Sequence, residues 1–183
     1  MDVLEVMMAL VAGVDSSTQS VKVLVCESSS GEIISSASAP HPTGTEVDPQ
    51  LWWHALTKAL NEKSITDIGG IDQISAISIA GQQHGLVLLD SSGDIIRPAL
   101  LWNDVRSAPQ AKLINKEFAD IAERTGSALV ASFTASKLRW VFEKEPANAK
   151  RIAAVCLPHD WLTWKLSGSQ DIGDIDRKST RLN

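Results

Sequence analysis

Three short stretches hold residue types that can do chemistry. The first, VAGVDSSTQSVK over residues 11–22, ends an apolar run on Asp15, continues through small hydroxyl and amide residues, and supplies Lys22. An acid delivered to the lip of a sheet can hold Mg²⁺ through waters, because that ion keeps much of its hydration shell. Successive N–H groups in the turn that follows can converge on an anion, and Thr18 and Ser20 add hydroxyl donors. The same residues equally describe a plain polar turn, since Asp, Ser and Thr bond readily to nearby backbone.

The second stretch, AGQQHG over residues 80–85, places Gln82, Gln83 and His84 between two glycines at the exit of an apolar run. Amides and imidazole both donate and accept hydrogen bonds, which suits sugar hydroxyls, although a polar loop between strands has the same composition. In the third, LWNDVR over residues 101–106, Asp104 is expected to cap the helix that follows. Trp102 can stack on a sugar ring or sit in the core, and Arg106 can be a solvated helix residue. Lys137 and Arg139 are expected on a helix surface. His41, His54 and His159 show no metal spacing, and the chain contains no Gly-rich phosphate loop, no Ser-His-Asp order and no Cys-His cluster.

The elements that must position these residues can be read from periodicity. ALVAGVD, VKVLVCE and EIISSASA read as three strands of an antiparallel meander. In DPQLWWHALTKAL, Asp48 is an N-cap, Pro49 suits the first helical position, and Trp52, Ala55, Leu56, Ala59 and Leu60 recur on one face. Val47 and Trp52 are placed to form a hydrophobic staple. ISAISIAG reads as a buried strand and GLVLLDSSGDIIRPALLW as a hairpin, its turn echoing ESSSGEII upstream. Three helices are expected after it: about 105–124, then 134 up to Pro146, then 158–166 before Gly168. The fold class is therefore α/β, a mixed sheet flanked by helices.

The 183 residues carry a net charge of −5, which leaves a nucleic-acid partner no basic footprint. The longest apolar stretch, residues 6–14, is far short of the roughly 20 residues a membrane span needs. Asp2 and Glu5 precede it, unlike the basic start of a signal peptide, so a cytoplasmic location without membrane partners is expected. Cys26 and Cys156 sit among apolar residues and are expected as buried reduced thiols. The last eight residues, DRKSTRLN, match the translation of a sequencing-adapter string. Residues 176–183 are therefore read as a non-native tail, and residues 1–175 as one incomplete domain.

In order and spacing, GVDSSTQSVK, DPQLWW, ISIAGQQHG, RPALLWNDVR, SFTASKLRW and LPHDWLTWKLSG together resemble the N-terminal domain of the FGGY carbohydrate kinases, and within that family the branch acting on xylulose. The resemblance implies a ribonuclease-H-like fold of the actin and hexokinase type, two such domains closing over a cleft, and phosphorylation of a sugar by ATP with Mg²⁺. It implies that Asp15 lies near the metal and the γ-phosphate, and that Thr18, Gln19, Ser20 and Lys22 form a phosphate-facing hairpin. It further implies that Gln83 and His84 contact the sugar, and that Trp102, Asn103, Asp104 and Arg106 line or support that pocket. Two positions depart from the family pattern: Ser17 stands where Gly is common, and Gln83 where Met is common. The family's general base, an Asp in a GGDN-type segment, and its adenine site belong to sequence not present here, so these 183 residues alone are expected to be inactive. The resemblance leaves gluconate, ribulose or glycerol open as substrates, and a homodimer as the state of the intact protein. A non-catalytic sugar- or partner-binding module is the alternative from another class.

Overall fold

A computed structural model describes residues 9–175; the proposed tail at 176–183 lies outside the described residues. The described chain divides into two compact units, one built from residues up to His41 and from Trp52 to Gly81, the other from Pro42 to Leu51 and from Gln82 onward.

In the first unit β1 (Leu10–Ser16), β2 (Ser20–Glu27) and β3 (Ile33–Pro40) form the expected meander, and β5 (Ile74–Gly81) joins it in parallel, giving the order β3-β2-β1-β5. Alternation sorts the side chains. Ala12, Val14, Val21, Val23 and Val25 are buried on one face, while Gly13, Asp15, Lys22 and Leu24 are exposed on the other. The helix α1 (Pro49–Leu60) starts as its sequence directs: the Gln50 amide donates to the Asp48 carboxylate at 2.9 Å. Trp52, Ala55, Leu56, Ala59 and Leu60 are all buried, the complete predicted stripe. The short α2 (Lys63–Thr66) lies against β3, where Ser35 Oγ donates to the Ser64 carbonyl and Ser64 Oγ to the Ser36 carbonyl. A 3₁₀ turn at Gly70–Gln73 leads into β5.

The strand β5 is not buried as its apolar run suggests. Its residues alternate between half-buried and exposed because, among the described residues, it is the edge of the sheet. Cys156 is buried as expected, but Cys26 is only half-buried, since it falls on the open face of β2.

In the second unit, short strands pair as β4 (Glu46–Val47) with β7 (Ala99–Leu100) and as β6 (Val87–Leu89) with β8 (Ala154–Cys156). The hairpin expected at 85–102 survives as two isolated bridges, Leu86 with Leu100 and Leu89 with Ile95. Leu86, Leu88, Leu100 and Val141 make a buried cluster, with Ile96, Leu138 and Ile152 against it. The single helix expected at 105–124 is two, α3 (Ala108–Glu117) and α4 (Ile121–Thr125). The start is delayed because residues 101–106 are tied up in turns. The break at Phe118 lets the chain fold back, so that the Asn115 amide bonds the Leu129 backbone in both directions at 2.8 Å. The helix α5 (Thr134–Lys144) stops ahead of Pro146, which starts α6 (Pro146–Ala149), and α7 (Pro158–Ser167) ends at Gly168 with φ 69°. Among the described residues no helix is long and apolar enough to cross a membrane.

The β2–β3 turn rests on Glu27, whose carboxylate accepts from the Ser29 amide and hydroxyl and, at 2.6 Å, from the Ser30 amide. These bonds, those of Ser30 and Ser29 together, hold its carboxyl at about 2. A depressed carboxyl stabilises the fold above its ordinary pKa and loses that contribution as the pH falls toward the depressed value. Urea unfolding from pH 6 to pH 2 should therefore show Glu27→Gln less stable than the natural protein at pH 6, with the gap narrowing steadily below about pH 4.5. A gap that is constant with pH would contradict the role given to Glu27.

Candidate functional site

Asp15 and Lys22 are register partners at the head of β1 and β2, both exposed and on the same face. The turn joining them is closed by the Ser17 amide, which donates to the Ser20 carbonyl at 3.0 Å, and by Ser17 Oγ, which donates to the same oxygen at 3.1 Å. The Ser17 amide is thus committed within the turn and does not join a nest of N–H groups facing an anion. Serine is accommodated here without strain, because His84 is the one described residue other than glycine with a positive φ. The turn is also braced from β3: the His41 amide donates to the Gln19 carbonyl at 2.8 Å, and its ring Nδ1 lies 2.9 Å from the Ser17 carbonyl. Facing a carbonyl, Nδ1 must carry the proton, and burial lowers the His41 pKa, so the ring serves as a neutral strut. His41 attracted attention in the sequence only for its lack of metal spacing.

Among the described residues no cluster of three or more His, Cys, Asp or Glu could hold a metal ion. A lone exposed carboxylate such as Asp15 still fits Mg²⁺, which is commonly bound through one or two carboxylates together with substrate phosphates and water.

The other stretches meet in the second unit. Leu86 and Leu100 exchange backbone hydrogen bonds, so the loops before Leu86 and after Leu100 leave the core side by side. The first loop exposes Gln83, half-buries His84 and buries Gln82; the second exposes Trp102 to 48 % and half-buries Asn103. Trp102 is therefore not a core residue. Asp104 does not cap a helix either, since α3 begins only at Ala108. Instead Asp104 is buried and accepts from the Arg106 amide at 3.0 Å and from Arg106 Nε at 2.9 Å. Burial opposes its charge, yet the bonds and the charge of Arg106 hold its carboxyl below the usual range.

Nor is Arg106 a free solvated helix residue: it lies ahead of α3 and is half-buried. It also donates to Glu46 Oε2 at 2.7 Å, Arg97 pairs with the other oxygen of Glu46, and both guanidinium groups lie over the Trp140 ring, at 5.0 and 5.8 Å. The Asn103 amide reaches the Gly44 carbonyl at 3.2 Å, and the Leu101 amide the Thr45 carbonyl at 2.8 Å. The 101–106 loop is thus fastened along its length to residues 44–46.

Lys137 departs furthest from expectation. It is not on the surface: no part of it is exposed, and its Nζ donates to the carbonyls of His84 and Ala131 at 3.2 Å and of Ser132. Burial brings the ammonium down to about 8. Arg139 is half-buried and bonded to Glu117 and Glu143. His84 has φ 62° and its ring stacks on Phe133, with centroids 4.6 Å apart. A left-handed backbone costs a residue bearing a Cβ about 1–2 kcal/mol, and a hydrogen bond to a charged group contributes about 1.5–3 kcal/mol. The contact from Lys137 is therefore large enough to hold the strained turn. Burial, and then the charge of Lys137, lower the pKa of His84, which keeps the imidazole neutral at pH 7 and able both to donate and to accept. One sequence signal pointed to Lys137: it shares a four-residue spacing with Phe133 and with Val141, which is fully buried.

The FGGY family of carbohydrate kinases, N-terminal domain, matches residues 10–181 and takes in all three stretches. The chain belongs to the FGGY family of carbohydrate kinases. It is 49 % identical over 175 residues to a xylulose kinase of Streptomyces coelicolor, the alignment covering 91 % of this chain and 36 % of that protein. Among solved structures, xylulose kinase from Bifidobacterium adolescentis superposes with a TM-score of 0.82 at 43 % identity, covering 91 % of this chain and 35 % of that one. Glycerol kinase from Plasmodium falciparum, 22 % identical with a TM-score of 0.77 over 88 % of this chain and 35 % of its own, shares the fold. The chain spans about a third of the length of these relatives. The mixed sheet with its meander and flanking helices is the ribonuclease-H-like fold expected of this family.

Gly85, next to His84, has no room for a side chain. A Cβ there would lie 2.5 Å from Pro158 Cγ and 2.8 Å from its Cδ, and Pro158 opens α7. Gly85→Ala should therefore cost about 1–3 kcal/mol in urea unfolding, the usual result of overpacking. Unchanged stability would show that the loop does not press against α7.

Proposed function

We propose that this chain is the N-terminal domain of an ATP-dependent kinase that phosphorylates D-xylulose to D-xylulose 5-phosphate. The observation that carries the reading is the 49 % identity to a xylulose kinase across nearly the whole chain. Two sets of candidate residues support it, one with an acid and a cation at a strand end, the other with Gln83, His84 and Trp102 on loops that the Asp104–Arg106 pair and Lys137 brace.

Phosphoryl transfer depends mainly on positioning and charge neutralisation. Mg²⁺, when bound, neutralises the charge of the ATP phosphates. Asp15 would hold the ion through water, while Lys22 and the hydroxyls and amide of Thr18, Ser20 and Gln19 would meet phosphate oxygens. Gln83 and the neutral imidazole of His84 would orient ketose hydroxyls. Trp102 would offer its exposed face to the sugar, and Asn103, Asp104 and Arg106 would hold the wall on which it stands. An ATP-dependent reaction on a free sugar also accords with a cytoplasmic location.

In the full-length protein, Asp15→Ala should lower kcat by about two orders of magnitude or more while leaving xylulose binding in place. His84→Ala should raise the xylulose KM by up to roughly tenfold, the loss of one or two neutral hydrogen bonds. Normal turnover in the first variant, or a normal KM in the second, rejects the corresponding role. A panel of xylulose, ribulose, gluconate and glycerol decides the substrate, and a lower kcat/KM for xylulose than for another member rejects the assignment. The 183 residues by themselves should show no xylulose-dependent ADP release; robust release would mean that they carry a complete site.

A further inference from the structure

We propose that Lys137 is the positioning residue of the sugar site: its buried ammonium, bound to the backbone carbonyls of His84, Ala131 and Ser132, holds His84 in the left-handed form that presents its imidazole. This rests on the reading of His84 as a residue that contacts the sugar.

The contacts of one helical turn converge on two residues. Lys137 Nζ takes the carbonyl of His84 at 3.2 Å, Thr134 Oγ1 takes that of Gly85 at 3.4 Å, and the Phe133 ring covers the imidazole at 4.6 Å. The same ammonium gathers the carbonyls of Ala131 and Ser132, which lead into α5. The helix start and the His84 loop, about 50 positions apart in sequence, are therefore joined at one nitrogen. A lysine serving only to fill space would be replaceable by an apolar chain, since burying a cation is costly unless its hydrogen bonds are made. Here all three partners are carbonyls, one of them belonging to the single described non-glycine residue with a positive φ. Lys137 is fully buried, so it acts on sugar affinity through His84.

The test uses the full-length kinase and xylulose. Lys137→Met, which keeps the length of the side chain and removes its donors, should weaken xylulose binding by about tenfold in calorimetry, with ATP affinity unchanged. Lys137→Gln, which retains a donor, should lose less. In a double-mutant cycle, adding Lys137→Met to His84→Ala should weaken xylulose binding no further, because the lysine acts through that ring. Additive losses, or unaltered xylulose affinity in Lys137→Met, overturn the proposal. If His84→Ala alone leaves xylulose affinity unchanged, the sugar-site reading itself has failed; if His84→Ala weakens binding and Lys137→Met does not, only the present inference has. A further measurement needs no variant: the His84 ring protons should be displaced upfield by the Phe133 ring in the NMR spectrum, and undisplaced signals overturn the proposal.

Discussion

An ammonium group with no exposed surface must find its hydrogen-bond partners inside the protein, and among the described residues Lys137 finds them in the backbone carbonyls of His84, Ala131 and Ser132, with the charge of Asp104 also favouring it. That requirement brings the start of α5 and the loop around His84 to the same point. Around it the remaining contacts fall into place, with Phe133 against the imidazole, Thr134 on the next carbonyl, and Gly85 pressed so close to Pro158 that no Cβ fits. Without a donor at the centre, a strained residue would be left with an unmade bond in an apolar setting, which is costly to sustain.

The two sets of candidate site residues are positioned by different physics. Asp15 and Lys22 stand together through strand register alone: opposite positions of an antiparallel pair share a face, and a slip of one residue would turn each away from it. The loops at 82–86 and 100–106 have only a few backbone pairs to hold them. Side chains supply the rest, with Asp104 and Glu46 dividing Arg106, Glu46 also taking Arg97, and both arginines resting on Trp140. Such networks are worth most when their members are partly buried and held on more than one side; Arg106 is half-buried and bonded to both Asp104 and Glu46, while Glu46 itself is exposed and shared between two arginines.

Much of the fold was legible in the chain because it depends on local pattern. The meander followed from alternation, and α1 followed from Asp48, Pro49 and a stripe whose five residues all proved buried. The two-residue strand β4 and the three-residue strand β8 were not legible, since so few residues carry no period, and pairing with β7 and β6 is what makes them strands. The long helix expected at 105–124 failed for a related reason. The residues favoured a cap at Asp104, but Arg106 took the carboxylate first and the helix began beyond it. The edge position of β5 likewise could not be read from its apolar run, because composition does not say which strands have two neighbours.

The identities and order of the candidate site residues were determined by the sequence: an acid ending a strand, a Gln-Gln-His loop between glycines, a Trp-Asn-Asp run, all in the order of one kinase family. The roles of the residues between them were decided by tertiary structure. Lys137, read as a surface charge, became the buried tie to His84, and Asp104, read as a cap, became the anchor of Arg106. A charged side chain takes its role from whatever partner lies within about 3 Å, and for Lys137 and His84 that partner is more than fifty residues away along the chain, where no local pattern can announce it.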